Sequence, residues 1–277
     1  MSDGARHHGQ RHGGQVAGGL RRGLGAVTPG ALSVVCVLGA LELAVRSGLF
    51  DERWFPPVSR IFAELADQAT TSGFREATFE TVRSWASGLV AAVAIAVPLG
   101  IVIGSSPRLH ASVKLVIEFL RPVPSVALIP LAVVMWGTGA ETKFFLILFA
   151  AVWPVLFQAI YGVQDVDPVA LDTARSFGMG RGRQWLHVTL PSTLPFIATG
   201  VRIASAIALL LAVGTELIIG APGLGRAIGI AQSGGAAVRM YAYIVAAGLL
   251  GMLLNLALGR VERSVLHWHE SHRTVVQ

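Results

Sequence analysis

Charged side chains occupy only 14% of this 277-residue chain, against roughly 25% in soluble domains, so each one inside an apolar run needs a chemical reason. Glu42 and Arg46 stand four apart with the glutamate first, the order that favours an ion pair within one helix. Glu118 and Arg121, three apart, invite the same local pairing. Arg202 differs, because no acidic residue lies within a helical turn of it. Glu216 follows fourteen residues later, about 21 Å along a helix, too far for the two to pair on one element. A guanidinium in apolar surroundings then has two outlets: an acid on another helix, Glu118 for instance, or an anion that it attracts.

Other chemistries find no footing in the spacing. A phosphate-binding loop needs Gly-x-x-x-x-Gly-Lys followed by Ser or Thr, because the lysine reaches the phosphates. The chain has two lysines, Lys114 after Val113 and Lys143 after Thr142, and neither fits. Gly220, Gly223, Gly225 and Gly229 miss the dinucleotide spacing and read as turns or a small surface helix. His7, His8 and His12 sit in a Gly-rich tail with no pre-organised metal geometry. His187 has no partner in sequence, His267 and His269 follow the last apolar stretch, where a solvated interface role is the default, and Cys36 is the only cysteine, which excludes a disulfide within the chain. The expectation is a chain with no catalytic residue, no metal and no cofactor of its own.

The elements that carry these residues are apolar and long. Hydrophobic residues make up 53% of the chain and mean hydropathy is +0.62. A helix needs about 20 apolar residues to cross a bilayer, and six stretches come close: 31–49, 85–104, 115–136, 144–161, 194–219 and 241–258. The fold class expected is therefore all-α, a polytopic membrane protein with about six transmembrane helices. Residues 1–29 read as a disordered tail and 30–270 as the membrane domain, with a surface helix at 59–69 between the first two spans. With the N-terminus inside, twelve Lys and Arg fall on the inner side and six on the outer, which by the positive-inside rule sets both termini in the cytoplasm. Counted from Thr193, Arg202 lies about 13 Å along its helix, near mid-membrane. Arg121, Arg202 and Glu216 are the candidate pathway residues. Pro122, Pro124 and Pro130 each remove a backbone donor inside the third stretch, which suits a helix lining a cavity.

The most informative polar interruption is 161–191. Asp167 before Pro168 is a helix start, with Asp as N-cap and Pro at the first helical position. A short helix over 169–177 should end at Gly178 and Gly180 in a left-handed turn, and a second segment, 184–190, should stop at Pro191. Arg175, Arg181 and Arg183 are then free to meet acidic groups on a partner. The bland alternative is a solvated loop that satisfies the positive-inside rule.

The spacing inside this interruption resembles the EAA loop of ABC-importer permeases. Asp172, Thr173 and Ala174 occupy its Glu-Ala-Ala positions, Gly178 its glycine, Val188 its isoleucine, and Leu190 with Pro191 its end. The acid and the second position depart conservatively from the pattern. LRPVPSVALIPLAVVMWG and GVRIASAIALLLAVGTELI are similar to the nitrate/sulfonate/taurine branch of that family, and the likeness spans about 54–268.

The resemblance implies a type I permease fold in which 165–191 is a cytoplasmic coupling loop. It implies a non-catalytic subunit in the plasma membrane of a bacterium. The loop would dock in a cytoplasmic ATP-binding subunit that holds ATP and Mg. A second permease copy and an extracytoplasmic solute-binding protein would complete the system. The cargo implied is a small, anionic solute of the sulfonate, nitrate or taurine kind. The alternative is an ion-coupled secondary transporter, which would want several acids near mid-membrane.

Overall fold

The computed structural model describes residues 27–120 and 123–266. Most of the expected tail, together with Arg121, Pro122, His267 and His269, lies outside the described residues. The described chain is helical throughout. Its helices are α1 (Val27–Arg46), α2 (Val58–Thr70), α3 (Ser72–Gly104), α4 (Pro107–Leu120), α5 (Ile129–Trp136) and α6 (Ala140–Gln164). There follow α7 (Pro168–Ser176), α8 (Arg181–Gln184), α9 (Leu190–Ile219), α10 (Leu224–Ser233) and α11 (Ala237–Val265).

Contacts divide the chain into two compact units, with the boundary between Arg60 and Ile61. In the first, α1 exposes Leu32, Val35, Val37 and Leu43. The expected Glu42–Arg46 pair forms, with the Arg46 Nε donating at 2.6 Å. The Glu42 carboxylate also accepts the Ser59 hydroxyl at 2.7 Å and the Ser59 N–H at 3.1 Å, which satisfies a free donor in the first turn of α2.

In the second unit, α3, α6, α9 and α11 are each long and apolar enough to span a membrane, and α4 with α5 form a bent pair that can count as a fifth span. The core lies between α3, α6 and α9 and is built largely from small residues: Ala92, Ala96, Ala150, Ala151, Ala204, Ala208 and Ala212. Helices in lipid associate through such close backbone approach, because hydrocarbon offers no hydrophobic drive between them. A Cβ on Gly100 of α3 would come within 2.5 Å of the Ala159 Cβ of α6, and one on Gly200 of α9 within 3.1 Å of the Pro154 carbonyl.

The third apolar stretch is not one helix. It breaks into α4 and α5, bent by 75°, with a 3-10 turn at Ser125–Leu128 between them. Pro124 is extended, with ψ of 111°, which ends any helix before it. Pro130 falls in the first turn of α5, where a missing N–H costs nothing. Pro124 and Pro130 thus mark a break in the span rather than an unsatisfied ladder.

Candidate functional site: a coupling loop, a buried clamp and two cavities

The loop before α9 is built as its residues require. The Asp167 carboxylate accepts the Val169 N–H at 2.8 Å, capping α7, with Pro168 in the first helical turn. At the other end Gly178 is left-handed, with φ of +72°. Its N–H donates to the Arg175 carbonyl at 2.9 Å, and the Met179 N–H donates to the Ala174 carbonyl at 3.0 Å. That double closure is a Schellman motif. Gly180 is extended instead, with φ of −66°, so one glycine makes the turn.

Asp172 and Thr173 are exposed and Ala174 is buried. Asp172 pairs with Arg175 on its own helix at 2.8 Å. The same loop presents apolar side chains that sequence reasoning passed over: Phe177 is 81% exposed, and Val169 and Leu186 are exposed as well.

Pro191 does not stop the helix, contrary to expectation. The chain from Arg181 to Ile219 runs as one span-like helix of 39 residues, about 58 Å at the usual rise. Trp185–Thr189 is a π turn, in which the Leu190 N–H reaches back to the Trp185 carbonyl. The widened turn takes up the residue whose ring would otherwise press on the preceding turn. Val188 sits in this turn, and Leu190 with Pro191 open α9.

At the far end of α9 lies a cluster that the sequence did not signal. Lys143, expected in a polar connection, is 1% exposed, and Glu216 is 0% exposed. The Lys143 ammonium donates to Glu216 at 3.2 Å and to the Pro222 carbonyl at 2.7 Å. Glu216 also accepts the Thr81 hydroxyl at 2.8 Å and the Gly225 N–H at 3.0 Å. Thr81 Oγ1 in turn accepts the Leu224 N–H at 2.9 Å. One carboxylate thereby ties α3, α6 and α9 to the first turn of α10, whose backbone donors need acceptors. A Cβ on Gly225 would lie 2.1 Å from the Val213 carbonyl, so the approach requires glycine. The expected small surface helix around these glycines is instead packed, with Leu224, Ile228 and Ala231 buried.

Arg202 finds its acid on α11. It forms an ion pair with Glu262, not with Glu118, and Glu118 lies 3.8 Å from Lys114 on its own helix. Glu262 is four residues beyond Leu258, where the last apolar run ends. The contact therefore sets Arg202 level with the polar end of α11, where counting along α9 alone set it near mid-membrane.

Two open cavities lie along α6. One of about 500 Å³ is bounded by Arg83, Ser84, Trp136, Glu141 and Phe144. The other, about 420 Å³, is bounded by Ser125 of the 3-10 turn, Trp153, Phe157, Gln158 and Tyr161 of α6, and Ile207 of α9. Neither is lined by Arg202 or Glu216. Among the described residues, no three His, Cys, Asp or Glu side chains stand close enough to hold a metal ion.

Residues 96–267 match the family described as binding-protein-dependent transport system inner membrane component, and the chain belongs to that family: it is a membrane subunit of an ABC importer. It is 33% identical over 226 residues to the taurine transport system permease protein TauC of Escherichia coli (strain K12), covering 80% of this chain and 82% of that one. It is 32% identical to the nitrate import permease protein NrtB of Leptolyngbya laminosa, over 64% of this chain and 63% of the relative. The bicarbonate transport system permease protein CmpB of Synechococcus elongatus is 28% identical over 68% of each chain. Among solved structures, the inward-facing MetNI methionine ABC transporter shares the fold, with a TM-score of 0.59 at 20% identity, covering 68% of this chain and 93% of that one.

Proposed function

We propose that this permease moves a small anionic solute under the drive of an ATP-binding subunit that docks on the loop at 165–191. The observation that carries the reading is the Schellman-closed turn at Gly178, with Phe177 exposed and the loop continuous with the 39-residue helix Arg181–Ile219. A push on that turn is delivered along one rod to the clamp at Glu216. Asp172, Thr173, Ala174, Gly178, Val188, Leu190 and Pro191 form or frame the docking face.

The proposed system has a homodimeric permease, a binding protein outside, ATP and Mg held by the partner, and both termini in the cytoplasm of a bacterial cell. The named cargoes of the relatives, taurine, nitrate and bicarbonate, all present negatively charged oxygens, which supports an anionic cargo. Arg202 and Glu216, each ion-paired, act in this reading as structural ties rather than pathway walls, and the cavities along α6 line the route. An ion-coupled mechanism is disfavoured because the Glu216 carboxylate is already engaged by Lys143, Thr81 and the Gly225 N–H. The test is to express the permease with the ATP-binding subunit and binding protein of its own system. The subunit should copurify with the wild type, and Gly178→Val should insert normally yet lose uptake. Uptake at the wild-type rate by a well-inserted Gly178→Val would sink the docking reading.

A further inference from the structure

An open groove of about 550 Å³ lies between the last turns of α3 and the start of the Arg181–Ile219 helix. Its walls are Val97, Pro98, Ile101 and Val102 of α3, with Arg181 and Gly182 of α8 and Trp185 of the π turn. α3 ends at Gly104, two residues beyond Val102, and passes into Ser105 and Ser106. The groove therefore lies where two apolar helices meet polar chain, and an indole at that level is a mark of the membrane interface. Val102 is 57% exposed there, and Pro98 is exposed as well.

Among the described residues, Arg181 is the only ionisable side chain on that wall. Arg83 and Arg202, which line other cavities, are each ion-paired, with Glu80 and Glu262. Arg175, on the same loop as Arg181, pairs with Asp172. The Arg181 guanidinium has neither an acid nor a hydrogen-bond partner among the described residues. One unanswered positive charge thus stands at the polar end of an apolar groove.

We propose that this groove binds an anionic phospholipid of the cytoplasmic leaflet, its phosphate on Arg181 and an acyl chain against Val97, Pro98, Ile101 and Trp185. The site rests on the reading of 165–191 as a cytoplasmic docking loop and adds a ligand to it. A guanidinium offers five donors in a planar fork that matches phosphate oxygens. The apolar wall has no use for a free anion, and the unpaired cation has none for a neutral lipid, so the complement carries both parts. Basic grooves between membrane helices on the cytoplasmic side suit such headgroups. Arg181 is three residues past Gly178, so the docking turn is footed partly on lipid.

The full-length permease, copurified with its ATP-binding subunit and also alone, is reconstituted in phosphatidylcholine nanodiscs. Separate samples carry a trace of phosphatidylglycerol or of phosphatidylcholine, each with the same diazirine-bearing acyl chain. After irradiation, labelled peptides are read by mass spectrometry and normalised to the total label on the chain. The expected result is about fivefold more label from phosphatidylglycerol on 97–102 and Trp185, the effect of one arginine at an anionic surface. Arg181→Gln should remove most of that excess, and Arg181→Lys should keep part of it because the charge remains. Equal labelling by the two lipids, an excess spread evenly along the chain, or one that survives Arg181→Gln would overturn the site. So would equal labelling of the wild type together with loss of the ATP-binding subunit from Arg181→Gln, which assigns Arg181 to an acid on that partner. Failure of the wild type to copurify with the subunit would overturn the docking reading instead, and the labelling of the permease alone does not depend on it.

Discussion

A buried lysine and a buried glutamate in a membrane protein stand or fall together. Removing one partner leaves an uncompensated charge, at a cost of about 3–5 kcal/mol, whereas replacing both with apolar residues is often neutral. Glu216→Ala should therefore reduce the yield of folded permease and its melting temperature in detergent, and Lys143→Met should do the same. The double variant Lys143→Met with Glu216→Leu should recover most of the loss, as read by thermal unfolding. If the double variant is worse than either single one, the clamp holds α10 chiefly through the backbone N–H groups that Glu216 and Thr81 accept. This cluster was not legible in the sequence, where the two residues are 73 positions apart and Lys143 stands at the start of a span, where a solvated lysine is ordinary. Glu42 with Arg46 was legible because their pairing is local, and Arg202 was half legible. Its need for a partner could be read from its surroundings, but Glu262, 60 positions away, could not.

Among the helices, glycine separates close approach from conformational need. Gly225 in α10 meets the Val213 carbonyl, while Gly214 in α9 faces open space. Gly225→Ala should lower the melting temperature sharply, and Gly214→Ala should leave it unchanged or raise it, since alanine is favoured by about 1 kcal/mol within a helix. Gly178 is the other kind. Nothing stands near its missing Cβ, so the penalty lies in the backbone alone. Asparagine tolerates the left-handed region and a β-branched residue does not, so uptake should survive Gly178→Asn far better than Gly178→Val. The start of α7 was readable from Asp167 and Pro168, as was the turn at Gly178, because capping is a local matter. The break between α4 and α5 was concealed by its apolar composition, which reads as one span whether or not the backbone stays helical. Pro191 misled for a related reason: proline ends an ordinary turn, and a π turn is set by packing that no local pattern records.

At the scale of the whole molecule, different devices stand at the two ends of α9, the turn at Gly178 before it, which we propose as the docking element, and a clamped short helix after it. If the even number of spans is right, reporter enzymes fused after Leu266 and before Val27 should both be active only in the cytoplasm, and one fused within α10 only outside. A C-terminal fusion active outside would remove a span from the count. The π turn at Trp185–Thr189 has a consequence for exchange between transport systems. Each residue added to or taken from a helix turns everything beyond it by about 100°. The bearing of Phe177 and Gly178 on the membrane helices is therefore a matter of residue number between Arg181 and Leu190, whatever those residues are. A docking turn grafted from another permease should work only when that interval keeps its length. One with a residue fewer would meet its ATPase facing the wrong way, even with every contact residue present.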